Sequence, residues 1–449
     1  MIGQTKLFAA LRGMVKLAKA DAASACVDAG QRLVFRFAQG GIHQDVLQER
    51  LTASITVLQN KRIGIASTDS LSAESLTNCV KRALLIASHA PPAEAALILP
   101  RRVRIQFKED YDPPTAHANA VACVELIRKQ MLRCKGAGAG LAGSLLAGSE
   151  ERAVVNSEGS AAYALSSVAS VKCVTQYRSL SGFASGAATS LAALGVDGVL
   201  ERALRQCLHR RDPVRLPLGE YAVILGPEAL AEILEWLALI AFGAKAFQER
   251  SSFLAGRMGE RVMDPQLSIY DDAMEPGALR TPMDWEGTPA QRVELIDHGI
   301  ARGIVYDTTY GARYDHPSTG HALFPGDTEG PMPHHLAIAP GEGSQEDLIR
   351  GCERGLFLPR LHYVNGLLNP REAMMTGLTR EGAFLIENGK LSQPIARMRF
   401  TDSMLRAFSD VRGITAERRL IADPHTGSGC ALVPSLHVAK LAFTGHSEP

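Results

Sequence analysis

An apolar run that stops at a Gly-Pro pair constrains the fold of this 449-residue chain more than any other feature. Tyr221 to Leu225 have the length and composition of a buried strand, and Gly226-Pro227 ends the strand where a helix can begin. The segment from Pro227 to Ala241 then repeats apolar side chains at three- and four-residue spacing, at Leu230, Ile233, Leu234, Leu237 and Ile240. The pattern predicts a strand followed directly by a helix that buries one face against a sheet.

The chain is longer than one ordinary domain, and its patterns change part-way along it. The first half predicts a helix over residues 1 to about 30, short strands between 31 and 66, a helix capped by Ser72 and another over His117 to Cys134. The second half is strand-heavy, with repeated hairpin turns that favour a closed or nearly closed β-layer. We therefore predict an α+β protein of two lobes. Residues 1–215 form an antiparallel sheet with packed helices, and residues 216–449 form a strand-rich, barrel-like lobe.

Composition excludes several classes of function. Forty-eight basic and 47 acidic residues create no field that would attract nucleic acid or an anionic membrane, and the longest apolar runs are shorter than the roughly 18 residues of a membrane span. The eight cysteines form no Cys-x-x-Cys pair, which favours reduced, buried thiols. These observations predict a cytoplasmic protein without a nucleic-acid or membrane partner.

Several short motifs occur in an order that is specific to one family. They are Leu225-Gly-Pro-Glu-Ala229, Gly259-Glu-Arg261, Asp271-Asp272, Asp284-Trp-Glu-Gly-Thr-Pro-Ala-Gln-Arg292, Ser318-Thr-Gly320 and Leu385-Ile-Glu-Asn-Gly389. In these motifs the chain resembles the TldD/PmbA family, also called the modulator of DNA gyrase family. The resemblance implies either an active zinc peptidase of TldD type or its PmbA-type (TldE) partner.

The residues at the expected zinc motif decide between these two types. The zinc-binding branch carries His-Glu-x-x-x-His on the helix that corresponds to residues 227–241, so that two imidazoles hold the metal and the glutamate activates water. Without a gap, the matching residues here are Glu235 to Ile240, with Glu235 and Ile240 in place of the histidines and Trp236 in place of the glutamate. The resemblance also suggests Cys430 near the position of a cysteine ligand, but one thiolate does not make a zinc site. We predict no metal, no cofactor and no catalytic residue of the family's type.

Acidic residues and histidines elsewhere are the remaining candidates for chemistry. Asp271, Asp272, Asp284 and Glu286 could act as a paired acid and base or bind a hard cation, although the turn sequences after Asp272 and Asp284 favour backbone capping. Arg292 closes the longest motif, and its role is open. His334 and His335 are adjacent on a predicted strand and should point to opposite faces, which disfavours a shared metal.

Three hypotheses follow. The first is a non-catalytic PmbA/TldE-like subunit that pairs with a TldD-type zinc peptidase and completes a cavity where unfolded peptides are cut. The second is a stand-alone hydrolase that uses Asp271, Asp272, Asp284 and Glu286. The third is a homodimeric peptide-binding protein without a peptidase partner.

Overall fold

The computed structural model describes residues 1–93, 97–208, 211–422 and 429–447. In the first half, the elements in chain order are α1 (Gln4–Ala18), β1 (Ala22–Ala38), β2 (Gly41–Gln59), β3 (Arg62–Thr68), α2 (Ala73–His89), β4 (Arg104–Phe107), α3 (Pro113–Ala116), α4 (Ala120–Gly136), β5 (Gly140–Asn156), β6 (Ala161–Tyr177), β7 (Leu180–Ala188) and α5 (Val196–Cys207). The capping prediction for α2 is confirmed, because the Ser72 hydroxyl accepts the Ser75 N–H at 3.2 Å.

Strands β1 to β7 form one sheet in the order β3-β2-β1-β5-β6-β4, with β7 also pairing with β6. The long strand β1 pairs antiparallel with both β2 and β5. Helices α1 and α2 bury Leu11 and Val80 against this sheet, and α4 and α5 bury Ile127 and Leu200 in a second cluster. The prediction that the first helix extends to about residue 30 is wrong. Residues 22–30 belong to β1, which pairs on both sides, and its Ala23, Ala25 and Val27 are buried against α1 and α2.

In the second half, the elements are β8 (Gly219–Leu225), α6 (Pro227–Ile240), α7 (Ala244–Gln248), β9 (Ile269–Asp271), β10 (Val293–Asp297), β11 (Ile300–Ala301), α8 (Thr308–Arg313), β12 (His335–Ile338), α9 (Gln345–Arg350), β13 (Arg354–Leu358), β14 (Arg360–Asn369), a 3-10 turn (Pro370–Glu372), β15 (Met374–Arg380), β16 (Phe384–Glu387), β17 (Lys390–Pro394), β18 (Met398–Ser403), α10 (Met404–Ala407), β19 (Val411–Ile414), β20 (Arg419–Ala422), β21 (Cys430–Val433) and β22 (Leu436–His446).

These strands lie in two open sheets. One has the order β11-β10-β9-β12-β21-β20, and the other has the order β14-β15-β18-β22-β8-β13-β16-β17, with β19 pairing with β22. The α+β class is therefore confirmed, but the expected barrel-like closure is not found in the described part of the chain. The physical reason is that each hairpin pairs locally, and β14 and β17 do not meet to close the larger sheet.

Helix α6 lies at the centre of the second half. Its buried side chains share one apolar core with strands of both sheets, including Leu225 of β8, Ile269 of β9 and Val433 of β21. The strand-to-helix junction is tight, because a Cβ on Gly226 would lie 2.9 Å from the Cα of Pro359. The predicted strand, turn and helix are thus confirmed, and they fix which face of α6 stays outside the core.

Within the described ranges, each helix is too short or too polar to cross a membrane. All eight cysteines are buried and unpaired, as their scattered spacing predicts.

Candidate functional site

Two cavities lie where the first sheet meets the second half of the chain. The larger has a volume of about 480 Å³ and is bounded by α6, by β6 and β7 of the first sheet, and by β20 and β21. The smaller has a volume of about 330 Å³ and lies between β1, β5 and β6 on one side and the segment around residues 271–285 on the other. His334, Ala422, Gly429 and Cys430 line both cavities and form the wall between them.

The wall of the larger cavity is the face of α6 that points away from the core. It presents Glu228, Glu232, Glu235 and Trp236, while Ile240 is only 4% exposed and belongs to the core. The Trp236 ring lies under β14, where a Cβ on Gly366 would come within 3.1 Å of it. Of the three positions that replace the zinc motif, Glu235 and Trp236 therefore face the cavity and Ile240 does not.

The side chains on this wall do not fit a catalytic zinc ion. A zinc site of that kind needs about three nitrogen, sulfur or carboxylate ligands that converge on one point. Helix α6 contains no histidine, and Cys430 on the opposite side of the cavity supplies a single thiol. The described residues contain no group of three His, Cys, Asp or Glu side chains placed to hold a metal ion.

Charge in the larger cavity is partly neutralised. Arg419 lies 3.5 Å from the Glu228 carboxylate, and Arg360 forms an ion pair of 2.9 Å with Glu381. Burial raises the pKa of Glu232 to about 7, although Arg360 acts in the opposite direction. Glu235 is exposed on the rim of the same face.

The smaller cavity contains a buried carboxylate–imidazole pair. Asp271 Oδ1 lies 2.9 Å from His321 Nε2, and Asp271 Oδ2 accepts the His335 backbone N–H at 2.7 Å. Burial by itself would raise the pKa of Asp271, but the hydrogen bond and charge of His321 lower it below its usual value. The second ring nitrogen of His321 lies 2.9 Å from the hydroxyl of Thr319. Both side chains are thus hydrogen-bonded to other groups of the protein.

Asp284 and Glu286 lie in turns, as the sequence around Asp284 predicts. Asp284 accepts the backbone N–H groups of Glu286 and Thr288 at 2.9 Å each, and that of Ala322 at 3.0 Å. These hydrogen bonds hold the turn that follows Asp284. Burial raises the pKa of Asp284 to about 6.

Glu286 is directed away from both cavities, and its carboxylate accepts the Thr308 N–H at 3.0 Å. Burial, together with the charges of Asp284 and Asp307, raises the pKa of Glu286 well above its usual value. Glu286 therefore joins the first residue of α8 to the turn at Asp284, and its side chain does not line either cavity.

Asp272 and Arg292 form a separate contact outside the cavities. The Arg292 guanidinium stacks 3.7 Å above the Tyr270 ring and lies 3.6 Å from carboxylate oxygens of both Asp272 and Glu275. The acidic cluster predicted from the sequence is therefore divided: Asp271 and Asp284 line the smaller cavity, Asp272 is held by Arg292, and Glu286 packs under α8.

The adjacent histidines both line the smaller cavity, and the strand that follows begins at His335. His334 also lines the larger cavity, and the His335 ring lies 3.2 Å from the Thr281 hydroxyl. Burial lowers the pKa of His334 to about 4 and also lowers that of His335, so both rings are neutral at pH 7.

Two contacts and one residue of the cavities were not anticipated from the sequence. The pairing of His321 with Asp271 and the stacking of Arg152 on Trp285, 3.8 Å from the ring centre, join residues that are distant in the chain. No local pattern reports such contacts. Glu232 could have been predicted from the sequence, because it lies three residues before Glu235 and therefore on the same face of the helix.

Comparison with known proteins adds to this geometry. Residues 218–445 match the family model described as PmbA/TldA metallopeptidase C-terminal domain, and residues 23–87 match PmbA/TldA metallopeptidase domain 1. The chain belongs to the PmbA/TldD family. Its members include a "Metalloprotease PmbA homolog" of Haemophilus influenzae, which is 23% identical over 83% of both chains. A "Metalloprotease TldD homolog" of the same organism is 28% identical over 43% of this chain, and that match spans only 40% of the relative.

Solved structures show the same fold. TldE from Thermococcus kodakarensis superposes with a TM-score of 0.86 at 23% identity, covering 97% of this chain and all of that one. A putative modulator of DNA gyrase from Thermotoga maritima gives a TM-score of 0.83 at 18% identity, again covering 97% of this chain and all of that one. The expected membership in the TldD/PmbA family is confirmed.

Proposed function

We propose that this protein is a non-catalytic PmbA/TldE-like subunit. In this proposal it pairs with a TldD-type zinc peptidase in the cytoplasm and completes a cavity in which unfolded peptides are cut. The observation that supports it best is the α6 face of the larger cavity. Of the three positions that would carry the two imidazoles and the water-activating glutamate, Glu235 and Trp236 face the cavity and Ile240 is buried in the core.

The buried carboxylates also favour a structural contribution. Asp271 and Asp284 each accept several hydrogen bonds from the protein itself, which leaves them poorly placed to exchange protons with a substrate. The chain's own part would be to shape the cavity and to present strand edges, such as that of β14, to an extended peptide.

Reconstitution tests the proposal. The purified chain is assayed on an unfolded peptide alone and with a zinc-bearing homologue from the same genome, and complex formation is followed by size-exclusion chromatography. We expect a stable complex, cleavage only in the mixture, and loss of cleavage with a chelator.

Each alternative gives a different result. Cleavage by the chain alone that survives chelation and is lost in Asp284→Asn would establish the acidic-cluster hydrolase. About one tightly bound zinc per isolated chain would show that the chain has a metal site and would refute the non-catalytic assignment. A peptide-binding homodimer that forms no complex with the homologue would refute the pairing.

A further inference from the structure

We propose that the larger cavity binds a positively charged side chain of the peptide, a lysine ammonium or an arginine guanidinium, between Glu232, Glu235 and Trp236. The inference rests on the proposed function for the nature of the ligand, an unfolded peptide. It goes further by assigning the chemical class of residue that this chain recognises.

The first reason is the way charges are paired in the cavity. Glu228 faces Arg419, and Arg360 is held by Glu381. Lys172 also lines the cavity, but the cation that acts most strongly on Glu232 is Arg360. Among the described residues, neither Glu232 nor Glu235 forms an ion pair. A cation that enters the cavity would therefore meet two carboxylates that lie three residues apart on the same face of α6.

The second reason is the partial burial of Glu232. Burial removes water from the Glu232 carboxylate. The groups that favour its charged form are Arg360, at longer range, and the backbone N–H of Val364. A carboxylate in such surroundings gains more from a cationic partner than an exposed one does, because less water competes for it.

The third reason is the aromatic wall. Trp236 lines the cavity beside the glutamates and is held in place by the backbone of β14 at Gly366. An indole face attracts a cation that lies within about 6 Å of it, and its apolar surface packs against the methylene stem of a lysine or arginine. Acidic oxygens next to a fixed aromatic ring are suited to that class of side chain. The cavity volume of about 480 Å³ provides room for it.

The test measures binding to this chain alone. The probes are two unstructured octapeptides with blocked ends that differ at one central position, lysine in one and acetyl-lysine in the other. Binding is followed by the fluorescence of Trp236 in a Trp285→Phe background, since these are the chain's two tryptophans. We expect the lysine peptide to bind about tenfold more tightly, which corresponds to one charge-assisted hydrogen bond.

Two charge-neutralising variants identify the site. Glu232→Gln should remove most of the preference for lysine, and Glu235→Gln should reduce it less, because Glu235 is exposed and more strongly screened. Glu387→Gln changes net charge equally at the exposed last residue of β16 and should leave the preference intact. Circular dichroism checks that each variant is folded.

Equal affinity for the two peptides, no binding of either, or an undiminished preference in Glu232→Gln would overturn the inference. These results remain separate from the proposed pairing, because complex formation with the zinc homologue is measured independently by chromatography. A chain that pairs but shows no lysine preference would refute only the cation site. A chain that prefers lysine but does not pair would refute only the subunit role.

Discussion

Replacing Ile240 by alanine is the sharpest test of whether the altered zinc motif has become part of the core. The side chain is 4% exposed and belongs to the apolar cluster that α6 shares with both C-terminal sheets. Truncation removes three carbon atoms at about 0.8 kcal/mol each, and the remaining cavity raises the total to about 2–5 kcal/mol. With a urea m-value of about 3 kcal/mol/M, a loss of about 3 kcal/mol lowers the unfolding midpoint by about 1 M.

The matched control is Glu235→Ala on the same helix. Its side chain is exposed, so its loss should change the free energy of unfolding by less than about 1 kcal/mol. Both variants are unfolded in urea and followed by circular dichroism, and both are assayed in the reconstituted complex. An Ile240→Ala chain that unfolds at the parent's midpoint yet inactivates the complex would refute the packing interpretation.

Three further predictions concern the smaller cavity and β14. Because burial raises the folded-state pKa of Asp284 to about 6 and that of Glu286 well above its usual value, their contribution to stability is present below about pH 4 and is lost as pH rises through the folded-state pKa values. In Glu286→Gln, the free energy of unfolding measured in urea should therefore fall less steeply between pH 4 and pH 8 than in the parent. The same dependence on pH in both proteins would contradict this prediction. Asp271→Asn should lower the free energy of unfolding at pH 7 by about 2–3 kcal/mol, because it weakens two charge-assisted hydrogen bonds, one of them to His321. An unchanged thermal unfolding temperature would argue against a stabilising role of these bonds. Gly366→Ala should shift the emission of the tryptophan on α6, since the new methyl group would lie 3.1 Å from its side chain and displace the ring by a few tenths of an ångström; unchanged emission would exclude that contact.

The parts of the fold that could be predicted were those with a strong local signal. The strand from Tyr221, the Gly-Pro junction and the stripe on α6 follow from periodicity and backbone chemistry within about 20 residues. The cap at Ser72 and the turn at Asp284 are equally local, because each side chain bonds its own neighbouring backbone.

The errors have a common physical origin in long-range pairing. Residues 22–30 are rich in alanine and favour a helix in isolation, but hydrogen bonds to β2 and β5 on both sides hold them in a strand. The barrel-like closure was inferred from hairpins, which determine neighbouring strands but not whether the outer edges meet. The division between residues 215 and 216 and the roles of the site residues remain predictions.

The candidate site shows the same limit. The sequence identified Glu235, Trp236, Asp271 and Asp284, but it did not indicate which of them share a cavity. That depends on how the first sheet lies against α6 and β21, and on the loop that brings His321 to Asp271.

The pairing of β8 with β22 has a consequence for synthesis of the protein. Gly219 pairs with Phe443, 224 positions later, so one side of β8 has no neighbour until almost the whole chain has left the ribosome. At about 5–20 residues per second, this delay is roughly 10–45 s. During that time the side of β8 that pairs with β22 is uncovered in the nascent chain, whereas the strands of the first sheet, which end at Ala188, have all been synthesised.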